Sequence, residues 1–309
     1  MSTRSDNSAE ARIVPQTARI LVVGSWAKAQ ALIENLKEIP GREVLAYLEI
    51  RNPGILSRVD DYQIGSLYEP DDIARYAREK EVDLVIVTTA GPLQRGVVDA
   101  LEEKNIPVFG PRRSAARLET DKAYCRQLLR KYAIGSIPAF GVFTEPAAAI
   151  RYARNLNWNV AVKPAGLTEG LGVRVYGEQL DAPEAVRAYI DDIFRKEIGG
   201  GSKVIIEEKL TGEEFTIQCL VDGEKIISTP AVQDFKKLRK GDRGPNTASM
   251  GSYSSPGDLL PFMEEEDYNR ALAIVRTTLE AFTKETGRSC RGFLYGQFML
   301  TSQGIKLIE

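Results

Sequence analysis

The chain has 309 residues, enough for two or three packed units, and its 43% hydrophobic content and formal net charge of −2 describe an ordinary globular protein with no electrostatic basis for nucleic acid as a main partner. Histidine is absent, which excludes His-based triads, His-ligated metals and His general bases; catalysis must rest on carboxylates, cations, backbone amides or a hard metal bound through oxygen. The three cysteines (Cys125, Cys219 and Cys290) are far apart and odd in number, which argues against a disulfide framework and a zinc site and fits a reducing cytoplasm.

Residues 1–18 are polar, have no apolar core and do not resemble a secretory signal; they read as a flexible lead-in. No apolar run approaches the length of a membrane span. The fold is expected to begin at Arg19. Ile20 to Val23 is a short apolar run ending in Gly24, the pattern of a buried parallel strand. A helical pattern over 27–39, a strand over 44–50, a helix over 71–80, a buried strand over 83–87, a helix over 93–104 and a fourth strand over 107–110 follow. Strands alternating with helices indicate a doubly wound α/β unit spanning 19–113. Such sheets hold ligands at the carboxyl ends of their strands, here near Gly24 and Thr88 to Pro92.

A second region, 114–202, opens with a helix over 114–132, then a strand and a helix, and then an apolar strand over 158–164 that carries Lys163 near its end. Gly166 to Gly172 is a turn-rich loop and 173–176 the return strand. A helix over 181–196 is expected to be capped by Asp181, with Pro183 in its first turn. The third region, 203–309, holds a strand over 203–208, an alternating strand over 214–221 ending in an Asp222-Gly223 hairpin turn, a helix over 264–286, and two closing strands over 293–300 and 305–309. Between them, Gln233 to Tyr253 is a long polar connection with two Asp, an Asn, a Thr, several cations and three glycines, an inventory that can hold an anionic, multiply hydroxylated ligand.

Two segments carry further chemistry. Val160 to Val173 places Lys163 at the end of a buried strand before a glycine loop; a strand-borne Lys can hold phosphate oxygens while backbone N–H groups close over them. An ordinary hairpin with an exposed Lys would read the same way. Ile206 to Phe215 ends a strand in acids, crosses a short linker and restarts with Glu214, so that the linker backbone can pair with an adenine edge and a carboxylate can accept from ribose hydroxyls. The alternative is a solvated acidic turn.

These two signatures in this order, with a late strand ending in Ile308-Glu309, resemble the ATP-grasp ligases. Phe109-Gly110-Pro111, Ala115 to Glu119 with Lys122, Val162 to Leu167, Glu207 to Thr216, the Gln233–Tyr253 connection and Gly292 to Met299 resemble the phosphoribosylamine–glycine ligases within them. Asn52-Pro53-Gly54-Ile55 and Pro230 to Asp234 resemble the archaeal branch. The resemblance implies an N-terminal doubly wound parallel-sheet (pre-ATP-grasp) domain followed by an α+β ATP-grasp fold in two parts, 114–202 and 203–309. It implies ATP-driven joining of glycine to phosphoribosylamine through an acyl phosphate in purine biosynthesis, with Mg²⁺ (or Mn²⁺), in the cytoplasm. Partners would be small molecules rather than nucleic acid or membrane, and the protein a monomer or weak homo-oligomer.

Carried onto matching positions, the resemblance implies that Lys122 and Lys163 bind ATP phosphates under a loop containing Gly166, Gly170 and Gly172. Glu207, Glu208 and Leu210 would frame adenine, Glu214 would hold the ribose, and Glu309 would ligate the metal. Gly24, Lys28, Asp234, Lys236, Pro245, Asn246 and Thr247 would line the acceptor side, with Lys163, Asp234 and Asn246 closest to the chemistry.

The chain departs from the family pattern at several of these places. Trp26 stands in the first loop where backbone should approach a phosphate, although Lys28 keeps a cation. Thr88 to Leu93 lacks a family carboxylate, Leu171 replaces a loop Lys, Phe235 replaces a His, and Ala248-Ser249 replaces a Gly pair. The family continues past the position of Glu309 with Asn-x-Arg-Phe-Gly-Asp-Pro-Glu, which supplies a second metal ligand, so this sequence is expected to be C-terminally truncated and too short to act alone. Alternative readings are a carboxylate–amine ligase with another acceptor and a non-catalytic ATP-binding paralogue.

Overall fold

The computed structural model describes residues 17–168, 171–241 and 243–309. They form two compact units, one ending at Arg113 and the other beginning at Ser114.

The first unit runs β1 (Arg19–Val23), α1 (Ala27–Lys37), β2 (Glu43–Leu48), α2 (Pro53–Leu56), β3 (Asp61–Ile64), α3 (Pro70–Glu79), β4 (Leu84–Val87), α4 (Ala90–Arg95), α5 (Val97–Glu103) and β5 (Val108–Phe109). The strands make one parallel sheet in the order β3-β2-β1-β4-β5. Continuous apolar runs in β1, β2 and β4 are buried, as a sheet covered on both faces requires. Packing starts one residue before Arg19: Ala18 is buried and its carbonyl accepts the Glu43 N–H.

Strand order reverses between β1 and β4, and there Gly24 (φ +148°) closes the first strand. A Cβ at Gly24 would lie 2.1 Å from Thr88 Oγ1, so only glycine lets the two strand ends approach this closely. The Thr88 hydroxyl donates to the Val23 carbonyl at 3.0 Å and ties the ends together.

Two local expectations change. The edge strand β3 was not foreseen, because Asp-Tyr-Gln-Ile is polar and only half-buried. The helix expected over 93–104 is two helices, broken at Gly96 in the left-handed region (φ +87°).

The second unit runs α6 (Arg113–Thr120), α7 (Lys122–Lys131), β6 (Phe140–Phe143), α8 (Pro146–Asn155), β7 (Val160–Pro164), β8 (Arg174–Val175), α9 (Pro183–Arg195) and β9 (Val204–Glu208). It continues through β10 (Gly212–Asp222), β11 (Lys225–Ser228), β12 (Gln233–Asp234), β13 (Lys237–Arg239), β14 (Arg243–Asn246), β15 (Ser252–Tyr253), α10 (Glu265–Thr286), β16 (Arg291–Thr301) and β17 (Gly304–Leu307). One antiparallel sheet has the order β6-β9-β7-β8, with α8 and α9 packed on it through Ala149, Val160, Val186, Ile190 and Ile206. The other has the order β11-β10-β16-β17 and is backed by α10 and α7. Phe215 and Phe298 stack at its centre with ring centroids 5.4 Å apart, fully buried, each contributing about 1.5–3 kcal/mol by leaving water.

The helix expected over 114–132 also breaks. Asp121 leaves the helix to pair with Gly166 as an isolated bridge, and its carboxylate caps α7 by accepting the Tyr124 N–H at 3.0 Å. Lys122 therefore opens a new helix, and its N–H donates to the Ala165 carbonyl at 2.8 Å. The cap expected at Asp181 falls on Ala182, with Pro183 as the first helical residue. The polar connection 233–253 contains two short ribbons, β12 with β15 and β13 with β14.

Candidate active site

Alternation along β10 and β16 decides which side chains face the site. Phe215, Ile217 and Cys219 on β10, with Leu294 and Phe298 on β16, point into the core against α10. The other face presents Glu214 and Thr216 from β10, and Tyr295 and Gln297 from β16. Glu214 and Gln297 are joined by a hydrogen bond from Gln297 Nε2 to Glu214 Oε2 at 2.8 Å.

At the neighbouring end of the four-stranded β7–β9 sheet, three buried charges meet. Lys163 Nζ lies 2.7 Å from Glu207 Oε2, and Arg126 Nε lies 2.6 Å from Glu207 Oε1. Arg126 and Lys163 both also donate to the Ile308 carbonyl, Lys163 at 3.2 Å. Burial pushes the Glu207 carboxyl up, but Arg126 and then Lys163 overcome it and bring it down to about 2. Glu207 is thus ionised at neutral pH, and two buried cations share one buried carboxylate. The surplus positive charge calls for an anion.

Beside this cluster, Lys122 Nζ lies 3.0 Å from Glu309 Oε1 and 3.4 Å from the Gly166 carbonyl. Burial raises the Glu309 carboxyl, but Lys122 and Lys163 hold it below its ordinary value. The Glu309 side chain keeps 30% of its exposure, so one ionised hard-oxygen donor is accessible next to the cations. Among the described residues no group of three or more acidic, Cys or His side chains could hold a metal. A single accessible carboxylate nevertheless fits Mg²⁺ as it is bound with nucleotides, through one or two carboxylates and phosphate oxygens.

Residues expected around adenine divide. Glu207 turns to the cations. Glu208 Oε1 accepts the Ala139 N–H at 2.9 Å, so its side chain braces the start of β6. Leu210 lies half-buried in the linker between β9 and β10. In the glycine loop, a Cβ on Gly166 would sit 2.3 Å from the Gly199 carbonyl oxygen, and one on Gly172 2.7 Å from Thr168 Oγ1. The Gly172 carbonyl accepts from Tyr189 Oη at 2.5 Å. Gly170 lies outside the described residues. Leu171 is 64% exposed.

The acceptor-side candidates of the second unit gather on the β12–β15 ribbons. Asp234 Oδ1 accepts from Ser249 Oγ at 2.5 Å. Lys236 Nζ is 3.9 Å from Glu214 Oε2, and its carbonyl accepts from the Thr247 N–H (2.7 Å) and hydroxyl (2.9 Å). Asn246 Oδ1 accepts from Gln179 Nε2 at 3.4 Å, and Pro245 precedes it, exposed, on β14. Phe235, next to Asp234, stacks instead on Tyr253 with centroids 6.1 Å apart. Gly24 and Lys28 belong to the first unit, at the carboxyl end of β1 and in the first turn of α1.

Sequence reasoning missed Arg126, Gln297 and Tyr295. Arg126 stands four residues after Lys122, the spacing that places both on one helix face, and that was the available signal. Tyr295 is 43% exposed on the same face as Glu214 and Gln297, where its phenol hydrogen-bonds with Thr216 and lies near the charges of Asp234, Glu309 and Glu214. The cavity of about 510 Å³ between the end of α7 and α10, bordered by Tyr132, Arg270 and Lys284, contains none of these groups.

A glycine loop after β7 and two buried lysines that reach the Ile308–Glu309 segment following β17 fit an ATP-grasp protein, and residues 120–309 match the ATP-grasp (A) domain of phosphoribosylglycinamide synthetase. Residues 18–119 match the N domain of the same enzyme, and the chain belongs to the phosphoribosylglycinamide synthetase family. It is 48% identical over 293 residues to the phosphoribosylamine–glycine ligase of Methanopyrus kandleri, covering 94% of this chain and 65% of that protein. The ligase of Methanosarcina barkeri is 41% identical, with 94% and 66% covered. The chain thus spans just under two thirds of the length of these relatives. The crystal structure of the phosphoribosylamine–glycine ligase from Thermotoga maritima superposes with a TM-score of 0.76 at 25% identity, covering 94% of this chain and 68% of that one. An N5-carboxyaminoimidazole ribonucleotide synthetase in complex with ADP shares the fold, with a TM-score of 0.69 at 14% identity and coverage of 96% and 70%.

Proposed function

We propose that this chain supplies the nucleotide clamp and much of the acceptor wall of an ATP-dependent ligase that joins glycine to 5-phosphoribosylamine. The products are glycinamide ribonucleotide, ADP and phosphate, as the names of its relatives suggest. The observation that carries the reading is the buried surplus of positive charge on Arg126, Lys163 and Glu207, adjoining the Lys122–Glu309 pair.

The glycine carboxylate attacks the γ-phosphorus of ATP, the bond to the β-phosphate oxygen breaks, and ADP leaves. The amine nitrogen of phosphoribosylamine then attacks the acyl carbon, phosphate departs, and the nitrogen loses a proton. Such chemistry rests on positioning and charge neutralisation, which explains how a chain without histidine can serve it. Lys122 and Lys163 hold phosphate oxygens, the loop from Gly166 to Gly172 covers them, and Glu214 takes the ribose hydroxyls. Main chain around Glu208 to Leu210 faces adenine. Asp234, Lys236, Asn246 and Thr247 line the acceptor side of the second unit; in the first unit, taken by itself, Gly24 and Lys28 are the candidates for a phosphate. Glu309 would hold Mg²⁺ (or Mn²⁺), which when bound neutralises phosphate charge. The 114–202 and 203–309 segments act as the two halves of the clamp in a cytoplasmic monomer or weak homo-oligomer.

The test is phosphate release by the full-length protein. Turnover should require ATP, glycine and phosphoribosylamine together; no turnover with that set would overturn the reading.

A further inference from the structure

Gln297 joins the closing segment of the chain to Glu214. Its main chain holds the closing segment: the N–H donates to the Glu309 carbonyl at 2.8 Å, and its carbonyl accepts from the Ile308 N–H at 2.7 Å. Its side chain, only 8% exposed with its residue, turns the other way and donates to Glu214 Oε2 at 2.8 Å. In the β10–β16 register Glu214 faces Met299 and Thr216 faces Gln297, so the Gln297–Glu214 contact is a diagonal cross-strand pair. Lys236 Nζ approaches the same Oε2 at 3.9 Å. Among the described residues no protein hydrogen bond falls on Oε1 of Glu214, and the side chain keeps 42% of its exposure. One carboxylate oxygen is therefore locked from behind and the other is presented.

We propose that Gln297 is the positioning residue that sets the sugar specificity of the nucleotide site: by holding Oε2 of Glu214, it aims Oε1 at the ribose hydroxyls. This rests on the assignment of Glu214 to the ribose. An amide is suited to the role because its N–H₂ donates to a carboxylate while bringing no charge of its own. A carboxylate released from this bond would sample other rotamers and lose its preference for a hydroxylated sugar.

The experiment measures affinities of the full-length protein for ATP and 2′,3′-dideoxy-ATP, which lacks both hydroxyls, by titration calorimetry. Gln297→Met keeps the length of the side chain and every main-chain hydrogen bond but removes the donor. It should weaken ATP about tenfold, the scale of one hydrogen bond to a charged group, and leave dideoxy-ATP unchanged. Gln297→Glu places two carboxylates together, so its ATP affinity should be poor at pH of about 8 and recover toward pH of about 5.5 as the pair takes up a shared proton. The unsubstituted protein should show no such recovery. Equal weakening of both nucleotides in Gln297→Met, or a flat pH profile in Gln297→Glu, would overturn the proposal. Glu214→Ala separates the two levels. If it abolishes the preference for ATP while Gln297→Met preserves it, the ribose assignment stands and the role of Gln297 falls. If Glu214→Ala keeps the preference, the ribose assignment fails and the role of Gln297 fails with it.

Discussion

Replacing Glu207 with Gln tests the charge arrangement at the centre of the site. The substitution preserves shape but leaves Arg126 and Lys163 as two buried cations without a carboxylate between them. Breaking a buried ion pair by removing one partner typically costs about 3–5 kcal/mol. A second route gives a similar size: the fall from an ordinary glutamate value of 4.5 to about 2 corresponds to about 3 kcal/mol of folding free energy. Because the folded-state value is depressed, this stability is fully present above pH 4.5 and is lost as pH falls toward about 2. Urea unfolding of the protein and of Glu207→Gln at a series of pH values should therefore show a gap of about 3 kcal/mol at neutral pH. That gap should shrink by about 1.4 kcal/mol at pH ~3.5, where the unfolded chain takes up the proton first. A gap that does not change with pH, or a variant as stable as the parent at neutral pH, would refute the assignment of Glu207 as the charge that holds both cations.

Three further outcomes are expected. Lys122→Met removes the cation 3.0 Å from Glu309 Oε1, so the Glu309 carboxyl should titrate higher and ATP affinity measured calorimetrically should fall at least about tenfold. Gly166→Ala forces a Cβ to within 2.3 Å of the Gly199 carbonyl oxygen, backbone against backbone, and should cost about 1–3 kcal/mol in chemical denaturation; an unchanged midpoint would show that the loop yields freely. Leu171→Lys adds a cation at a 64% exposed loop position, so stability should stay within about 0.5 kcal/mol. Its ATP affinity should rise at low salt and lose that gain at high salt, where exposed charges are screened.

The alternation of apolar runs with helical patterns made the first unit legible, since buried parallel strands such as Ile20 to Val23 carry little but apolar residues. Its edge strand Asp61–Ile64 escaped because a strand with one neighbour needs no apolar signature. In the second unit, Lys163 and the glycine loop were visible because chemistry demanded unusual residues at a strand end. The break at Asp121 was not: Ser114 to Tyr132 reads as one helix, and only the distant Gly166 draws Asp121 out of it. Glu207 was assigned to adenine because its neighbours in sequence face the linker; its true partners, Arg126 and Lys163, lie 81 residues away along the chain for Arg126 and across the sheet for Lys163. Gln297 has no local pattern at all, and its meaning comes from the register that sets it diagonal to Glu214.

The shared Ile308 carbonyl also has a bearing on how the molecule is made. Arg126 leaves the ribosome 182 residues before the carbonyl it will bind. At ordinary translation speeds that interval is roughly 10–40 s. Glu207 emerges in the middle of it and can neutralise one cation early, so the nascent chain carries the surplus charge alone for the remainder. The Arg126–Lys163–Glu207 cluster is therefore among the last parts of this unit to become native, because it is completed only when the segment after β17 that carries Ile308 has docked.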